Sequence, residues 1–321
     1  MNSDQLYANG RIAVMSSRLL GADKFTRLAE CSTLVEAVRV LGENGYGGGI
    51  SITNANDYEL ILRAELDAML ALLVELCYDK NAASYFLCPY DFVNAKILMK
   101  SKYQRISGVA SCFANASYSP SKMQDNFVAD DYKSYTKNMA EACDAIDTEF
   151  ASGNRSAQVI DEKLDKAMFA DMCRYAKRCS ISLVRKLCVF QVDTANLMLI
   201  YRLKKAGADQ AQLDRWFVKG GSVKLEMLHK LWESDTNACD LQDEYRRFYA
   251  LCSLDNATLA AAEREQRVFR NKLVGDYADL LTIQPVIEYF FKKTDEIQKL
   301  RQLLVDIKNG VDKDKIKEKL K

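Results

Sequence analysis

The strongest constraint on this chain is a pattern that it carries twice. Asp91-Phe-Val-Asn94-Ala-Lys96-Ile-Leu-Met-Lys100-Ser-Lys102 returns as Asp193-Thr-Ala-Asn196-Leu-Met-Leu-Ile-Tyr-Arg202-Leu-Lys204, at an offset of 102 residues. One more step of that length reaches Asp295, with Gln298 in the place of the Asn and an off-phase Arg301. A partial copy opens the chain, where Asn9-Gly-Arg11-Ile12 and Ser16 line up with Asn94-Ala-Lys96-Ile97 and Ser101. A period of about 100 residues implies three copies of one supersecondary unit. The expected units are 1–88, 89–190 and 191–284, with 285–321 returning to complete the first.

Each copy reads as a helix start. The Asp can cap, the cations fall towards the C-terminal half, and Leu197, Ile200 and Leu203 form one apolar stripe. The Asn is what this reading leaves over. Within a helix Asn is a middling residue, kept for a side-chain partner or for packing. A structural role at the contacts between repeats is expected, with direct partner binding as the other possibility.

Only 3 Pro and 14 Gly interrupt the 321 residues, and strong helix formers dominate, so the fold class expected is all-α. Lys and Arg together number 45 against 44 Asp and Glu, which gives nucleic-acid binding no electrostatic support. The 10 cysteines form no C-x2-C pair and lie mostly in apolar stretches, as small core residues of a reduced, cytosolic protein do. No basic-then-apolar leader opens the chain, and the longest apolar run, Ala68 to Val74, is far short of the ~20 residues needed to span a bilayer.

Along the chain, helices are expected over Leu6–Leu20, Lys24–Leu28 and Leu34–Gly42. Asn56 with Glu59 has the form of a capping box, opening a helix whose Leu62, Leu66, Met69, Leu70, Leu73 and Leu76 share a face. Pro89 is read as the break between the first and second units. Acidic helices follow over Asp130–Phe150, then Ala157–Cys179, then the third unit with a charged helix over Ala257–Tyr277. Pro285 suits the first turn of a last long helix that Asn309-Gly310 ends, and Asp312–Leu320 forms a short basic helix. Pro120 aligns at the offset with Ser222, beside Gly220-Gly221.

Catalytic chemistry finds little purchase. His229 is the only histidine and sits between Leu228 and Leu231, where a helix-surface residue is the simpler reading. Ser119-x2-Lys122 lacks the companions of an acylation motif. Asp130-Asp131 and Asp144/Asp147 are carboxylates on solvated helix faces. The Gly45–Gly49 loop lacks the spacing of a phosphate cradle. No cofactor or metal is expected, and the chain is not expected to be an enzyme.

Several short motifs, taken in order, resemble one family. Tyr7-Ala-Asn-Gly-Arg11-Ile with Ser17-Arg18-Leu-Leu20, then Glu36-Ala37 and Gly45-Tyr46-Gly47, are similar to the start of the C subunit of V-type/A-type ATPases, the homologue of the eukaryotic V-ATPase d subunit. Tyr58-Glu59-Leu60, the two Asp-x2-Asn copies, Gly220-Gly221 and Pro285-Val-Ile through Tyr289, Lys293, Glu296-Ile297 and Leu300-Arg301 match as well. Tyr118-Ser119, where a Gly pair is expected, and Gln298-Lys299 depart from the pattern.

The resemblance implies a funnel of three similar helical domains about a pseudo-threefold axis, a monomer when isolated. It implies a non-catalytic rotor part that couples the central stalk (D-type and F-type subunits) to the membrane proteolipid ring. Proton or sodium transport would be linked there to ATP hydrolysis or synthesis. Such a rotor part is cytoplasmic and peripheral to the membrane. A helical-repeat adaptor unrelated to an ATPase, and a helical hydrolase, are the rival readings.

Loops on a rigid helical frame are where partners would be met. The candidates are Gly45–Gly49, Tyr118–Lys122 and Lys219–Ser222. Tyr46 and Tyr118 are the expected amphipathic anchors, Lys122, Lys219 and Lys224 the expected contacts with acidic groups, and Gly47, Gly220 and Gly221 further interface candidates. Asn9, Arg11, Asp91, Asn94, Lys96, Asp193, Asn196, Arg202 and Arg301 are expected to hold the repeats themselves.

Overall fold

The computed structural model of the protein describes residues 3–48, 50, 54–253, 259–277, 279 and 282–320. Among the described residues every regular element is a helix and none is a strand. In chain order the α-helices are α1 Ser3–Ser16, α2 Ala22–Ala29, α3 Leu34–Glu43, α4 Tyr58–Leu76, α5 Lys80–Gln104, α6 Pro120–Val128, α7 Lys137–Ala151 and α8 Ala157–Arg178. There follow α9 Ser182–Lys205, α10 Gln210–Trp216, α11 Leu225–Glu233, α12 Asp243–Ser253, α13 Leu259–Gly275, α14 Gln284–Lys308 and α15 Lys313–Leu320. Residues 257–258 of the expected charged helix, and Gly49 of the first candidate loop, lie outside the described residues.

The chain packs as two compact units, Met1–Tyr78 with Ala278–Lys321, and Asp79–Tyr277. In the first, the apolar face of α4 (Leu62, Leu66, Met69, Leu70 and Leu73) packs on α14, which presents Ile287, Phe291, Leu300 and Leu304. The helix α1 also lies on α14, and α15 lies on α2. In the second, α5 and α7 pack on α8, and α8 on α9. Helices α10 to α13 surround the C-terminal half of α9, with Leu197, Ile200, Leu228, Leu231 and Phe248 in their core. Of the nine cysteines whose side chains are described, seven are buried, so cysteine acts here as a small core residue.

The repeat is visible in the helix starts. The three long helices α5, α9 and α14 open at Lys80, Ser182 and Gln284, each 102 residues after the last. Between them the register slips. The loop that Asn94 grips lies 19 residues on, and the loop that Asn196 grips lies 22 residues on. The longer loop contains α10, where the second repeat has only the short 3-10 turn Val109–Ser111. Pro120 therefore corresponds to Leu225, each the first residue of its helix, and not to Ser222 as the uniform offset implied.

Several helix boundaries are corrected. Asp91 and Asp193 do not cap helices; both lie in mid-helix and are buried. The cap of α5 is Asp79, which accepts from the amides of Asn81 at 2.8 Å and Ala82 at 3.1 Å. Pro89 sits inside α5 and does not end it. A proline forfeits one backbone bond there, and burial on both sides (Tyr85, Phe86 and Cys88 before it, Phe92, Ala95 and Leu98 after it) outweighs the loss. The N-terminal part of the first compact unit ends at Tyr78, ahead of α5. Nor does Asn56 open α4: Asn54 caps a 3-10 turn, accepting from the Asn56 amide at 2.9 Å, and Glu59 pairs instead with Arg301 at 2.8 Å.

Candidate functional site

The recurring residues of the repeat motif turn out to be loop clamps. Asn94 is fully buried; its Nδ2 donates to the Phe113 carbonyl at 3.0 Å and its Oδ1 accepts from the Phe113 amide at 2.7 Å. Asn196 does the same to Val218, at 2.8 and 3.0 Å. One turn earlier, Asp91 accepts from the amide and the hydroxyl of Ser117, both at 2.7 Å. Asp193 accepts from the Val223 amide at 2.8 Å and the Ser222 hydroxyl at 2.5 Å. An Asp and an Asn three residues apart lie on one helix face, so one side of the helix holds both ends of the loop. The clamps work within each repeat and not between repeats as expected.

The glycine pair follows from the clamp. A Cβ on Gly221 would lie 2.1 Å from Asp193 Oδ1, and one on Gly220, whose φ is +116°, would lie 2.5 Å from Cys173 Sγ. Only glycine lets the backbone pass so close to the carboxylate. Burial pushes the Asp91 carboxyl up to about 7, with the like charge of Asp171 acting the same way and the Ser117 donors opposing both.

In the first unit the grip is built from other residues. The register-matched Gln298 is exposed, and Glu296 does the holding, accepting from the Leu20 amide at 2.5 Å and from the Tyr46 hydroxyl. Glu65 accepts from the Gly47 amide at 2.7 Å. Lys293 lies between the two carboxylates, 2.7 Å from Glu65 and 2.9 Å from Glu296, with its ammonium over the Tyr46 ring. Tyr46 is therefore not a surface anchor: it is buried, and burial with the Glu296 charge raises its phenol far above the usual range. Gly47 is buried too, at φ +83°, and a Cβ there would meet Ile61 at 2.9 Å. Sequence reasoning gave Glu65, Lys293 and Glu296 no role in the site, although Lys293 and Glu296 lie within the family resemblance. The available signal was that Lys293 and Glu296, three apart, fall at helical spacing with Phe290, Ile297 and Leu300, so that opposite charges share the buried face of the helix.

The motif cations close the far end of each helix. Lys96 pairs with Asp165 at 2.6 Å, and Lys100 with Asp161 at 2.8 Å. Lys102 meets Asp130 at 2.5 Å, Asp147 at 2.7 Å and the Tyr132 hydroxyl at 2.9 Å. Its counterpart Lys204 meets Asp235 at 3.2 Å, and the Tyr249 hydroxyl donates to the same Asp235 at 2.6 Å. The tyrosine and the aspartate have exchanged elements between the repeats: α7 supplies Asp147, and α12 supplies Tyr249. Arg202 is exposed. At the chain's ends, Asn9 donates to the Thr282 carbonyl at 3.0 Å, and Arg11 pairs with Glu75.

What remains open to a partner is narrower than the sequence indicated. Lys122, Lys219, Gly220 and Lys224 are exposed, and none of the three lysines is in an ion pair among the described residues. Tyr118 is half-buried, its ring edge-on to Tyr135 at 5.0 Å. His229 bonds Asp214 at 2.6 Å on the helix surface. A groove of about 750 Å³ beside Lys100, Lys102 and Arg155 contains Asp130 and Asp147, both already paired with Lys102. Among the described residues no three His, Cys, Asp or Glu side chains are placed to hold a metal, and no helix is long and apolar enough to cross a membrane.

The three long helices α5, α9 and α14 each carry a buried acid, Asp91, Asp193 or Glu296, that fixes a loop packed against the helix. The chain belongs to the ATP synthase (C/AC39) subunit family, whose model matches residues 8–319. It is 24% identical to the A-type ATP synthase C subunit of Thermococcus kodakarensis, over 97% of this chain and 89% of that protein. To the corresponding protein of Desulfurococcus sp. it is 25% identical over 97% of this chain and 89% of the other, and to that of Methanosarcina mazei 22% over 99% and 93%. The family is that of a structural, non-catalytic subunit.

Proposed function

We propose that this chain is the rotor socket of a V/A-type ATPase, joining the central-stalk D-type and F-type subunits to the membrane proteolipid ring. It would sit on the cytoplasmic side, peripheral to the membrane. ATP-linked proton or sodium transport would pass torque through it without chemistry of its own. The proposal includes three similar domains around a pseudo-threefold axis, formed by 1–88 with 285–321, 89–190 and 191–284. The observation that carries the reading is the loop clamp made by Asp91/Asn94 and repeated by Asp193/Asn196. A coupling element must transmit force through its contact loops, and loops pinned by buried polar side chains deform little under load.

The exposed lysines of those loops are the proposed contacts: Lys122, Lys219 and Lys224, with Tyr118 as the apolar anchor and Gly220 giving close backbone approach. The test measures binding of the purified chain to the stalk pair and, separately, to the isolated ring. Reversing Lys122 and Lys219 to Glu, with Tyr118→Ser, is expected to weaken one association at least tenfold with helical content unchanged. Unaltered binding to both removes these loops from the interface. Wild-type protein that binds neither partner overturns the socket itself, in favour of a helical-repeat adaptor.

A further inference from the structure

Two thiols stand face to face where the second repeat passes into the third. Cys173 on α8 and Cys188 on α9 have their sulfurs 3.5 Å apart, with Cys188 donating to Cys173. Cys173 is half-buried, and Cys188 is buried. Fifteen residues separate them, so the sulfurs meet because α8 and α9 pack on each other. We propose that Cys173 and Cys188 are an oxidative modification site, at which a peroxide converts the two thiols into an intrachain disulfide. This rests on the sulfur geometry alone and not on the proposed rotor role.

The two sulfurs are suited to different steps. The Cys188 S–H donated to Cys173 favours the thiolate there, and Cys173 accordingly titrates below an ordinary cysteine. Cys188 is held protonated by the same bond and by burial. The Cys173 thiolate, its proton lost to solvent, attacks one oxygen of hydrogen peroxide. The O–O bond breaks, a sulfenic acid forms, and the departing hydroxide is neutralised by solvent to water. Cys188 sulfur then attacks Cys173 sulfur, the S–O bond breaks, and the Cys188 proton leaves with the hydroxyl as a second water. Two thiols are oxidised, one peroxide is reduced, and one S–S bond remains.

The bond would have a consequence beyond the two helices. In the reduced protein the Cys173 thiol reaches the Lys219 carbonyl at 3.8 Å, and Gly220 passes too close for any Cβ. Oxidation removes that S–H donor and draws Cys173 sulfur towards α9. The 219–221 loop loses a tether at its tip and keeps those from Asn196 and Asp193 at its two ends.

The experiment treats the full chain with hydrogen peroxide in a Cys239→Ser background, which removes the one thiol exposed among the described cysteine side chains, and so a means of linking two chains. Free thiols are alkylated, and the protein is weighed intact and after trypsin. Cleavage after Lys166, Arg174, Arg178, Arg185, Lys186 and Arg202 places Cys173, Cys179 and Cys188 on separate peptides (167–174, 179–185 and 187–202). The expected result is loss of two hydrogens from the intact chain, with 167–174 linked to 187–202. The link should be reversed by dithiothreitol and absent in both Cys173→Ser and Cys188→Ser. The proposal is overturned by a disulfide mapping to Cys88 or Cys179, by sulfinic acid on Cys173 with Cys188 still alkylated, or by no change of mass.

Discussion

Asn196 holds both backbone groups of Val218, donating to its carbonyl at 2.8 Å and accepting from its amide at 3.0 Å, 22 residues along the chain. A single side chain thus substitutes for a stretch of ladder, and it is 1% exposed. Asn196→Leu fills similar volume but leaves a buried donor and acceptor unmet, at about 1–3 kcal/mol for each group. The expected loss of stability is about 3 kcal/mol in urea unfolding. Asn94→Leu should cost a similar amount through Phe113. A loss below about 1 kcal/mol at both positions would mean that water replaces the amide and that the clamp is not structural.

Two glycines should respond to alanine in opposite directions. A Cβ at Gly221 would lie 2.1 Å from Asp193 Oδ1, and that carboxylate cannot retreat without breaking its bonds to Ser222 and Val223. Gly221→Ala is expected to cost about 2 kcal/mol, a typical figure for an overpacked site. Gly10 lies inside α1, exposed, with nothing within 4 Å of its missing Cβ. There Gly10→Ala should raise stability by about 0.5–1 kcal/mol. Thermal unfolding of the two variants, side by side, checks the sign of each.

The fold class was legible because helix formers with 3 Pro and 14 Gly leave few other options. The repeat was legible because Asp and Asn recur where loops must be gripped. The same two residues misled about helix starts: an Asp ahead of an apolar stripe has the local signature of a cap, and only the loop packed above it reveals the other use. Pro89 misled for a related reason, since the burial that carries α5 past it is tertiary. Tyr46 could not be placed from local pattern at all. Its hydroxyl is held by Glu296, 250 residues away, and an aromatic in a glycine-rich loop reads as exposed until that partner is known. The slip of three residues between the repeats was hidden because α14 again opens 102 residues after α9.

The exchange of Tyr and Asp between repeats predicts unequal lysines. The Lys102 side chain is 16% exposed and touches two carboxylates and a phenol. The Lys204 side chain is 37% exposed, and its partner Asp235 is 51% exposed. Solvent screens the second pair, which should be worth under about 1 kcal/mol. Removing the first charge leaves the Asp147 carboxylate with its phenol donors from Tyr103 and Tyr132 but no cation, at a cost of about 2 kcal/mol. Lys102→Met should therefore destabilise markedly more than Lys204→Met in urea unfolding. The Lys204→Met loss should also shrink further in about 0.5 M salt, where exposed pairs are screened, and equal losses would contradict the assignment.

Asp91 gives the chain a predicted pH dependence. Burial outweighs the Ser117 donors and holds the folded carboxyl near 7, whereas an unfolded Asp titrates near ~3.9. The folded state thus keeps a proton that the unfolded state gives up. The stabilising contribution is complete below about pH 4, declines as pH rises, and is lost above about pH 7, a change on the order of 4 kcal/mol. Asn at this position can accept from the Ser117 amide and donate to its hydroxyl oxygen, keeping both contacts without a charge. Asp91→Asn should accordingly match or exceed the wild type in stability at about pH 7.5, and the difference between the two should close as pH falls to about 4. Unfolding free energies measured at intervals across that range decide it. If the two proteins run parallel throughout, Asp91 ionises normally within the fold, and its clamp on Ser117 works as a carboxylate.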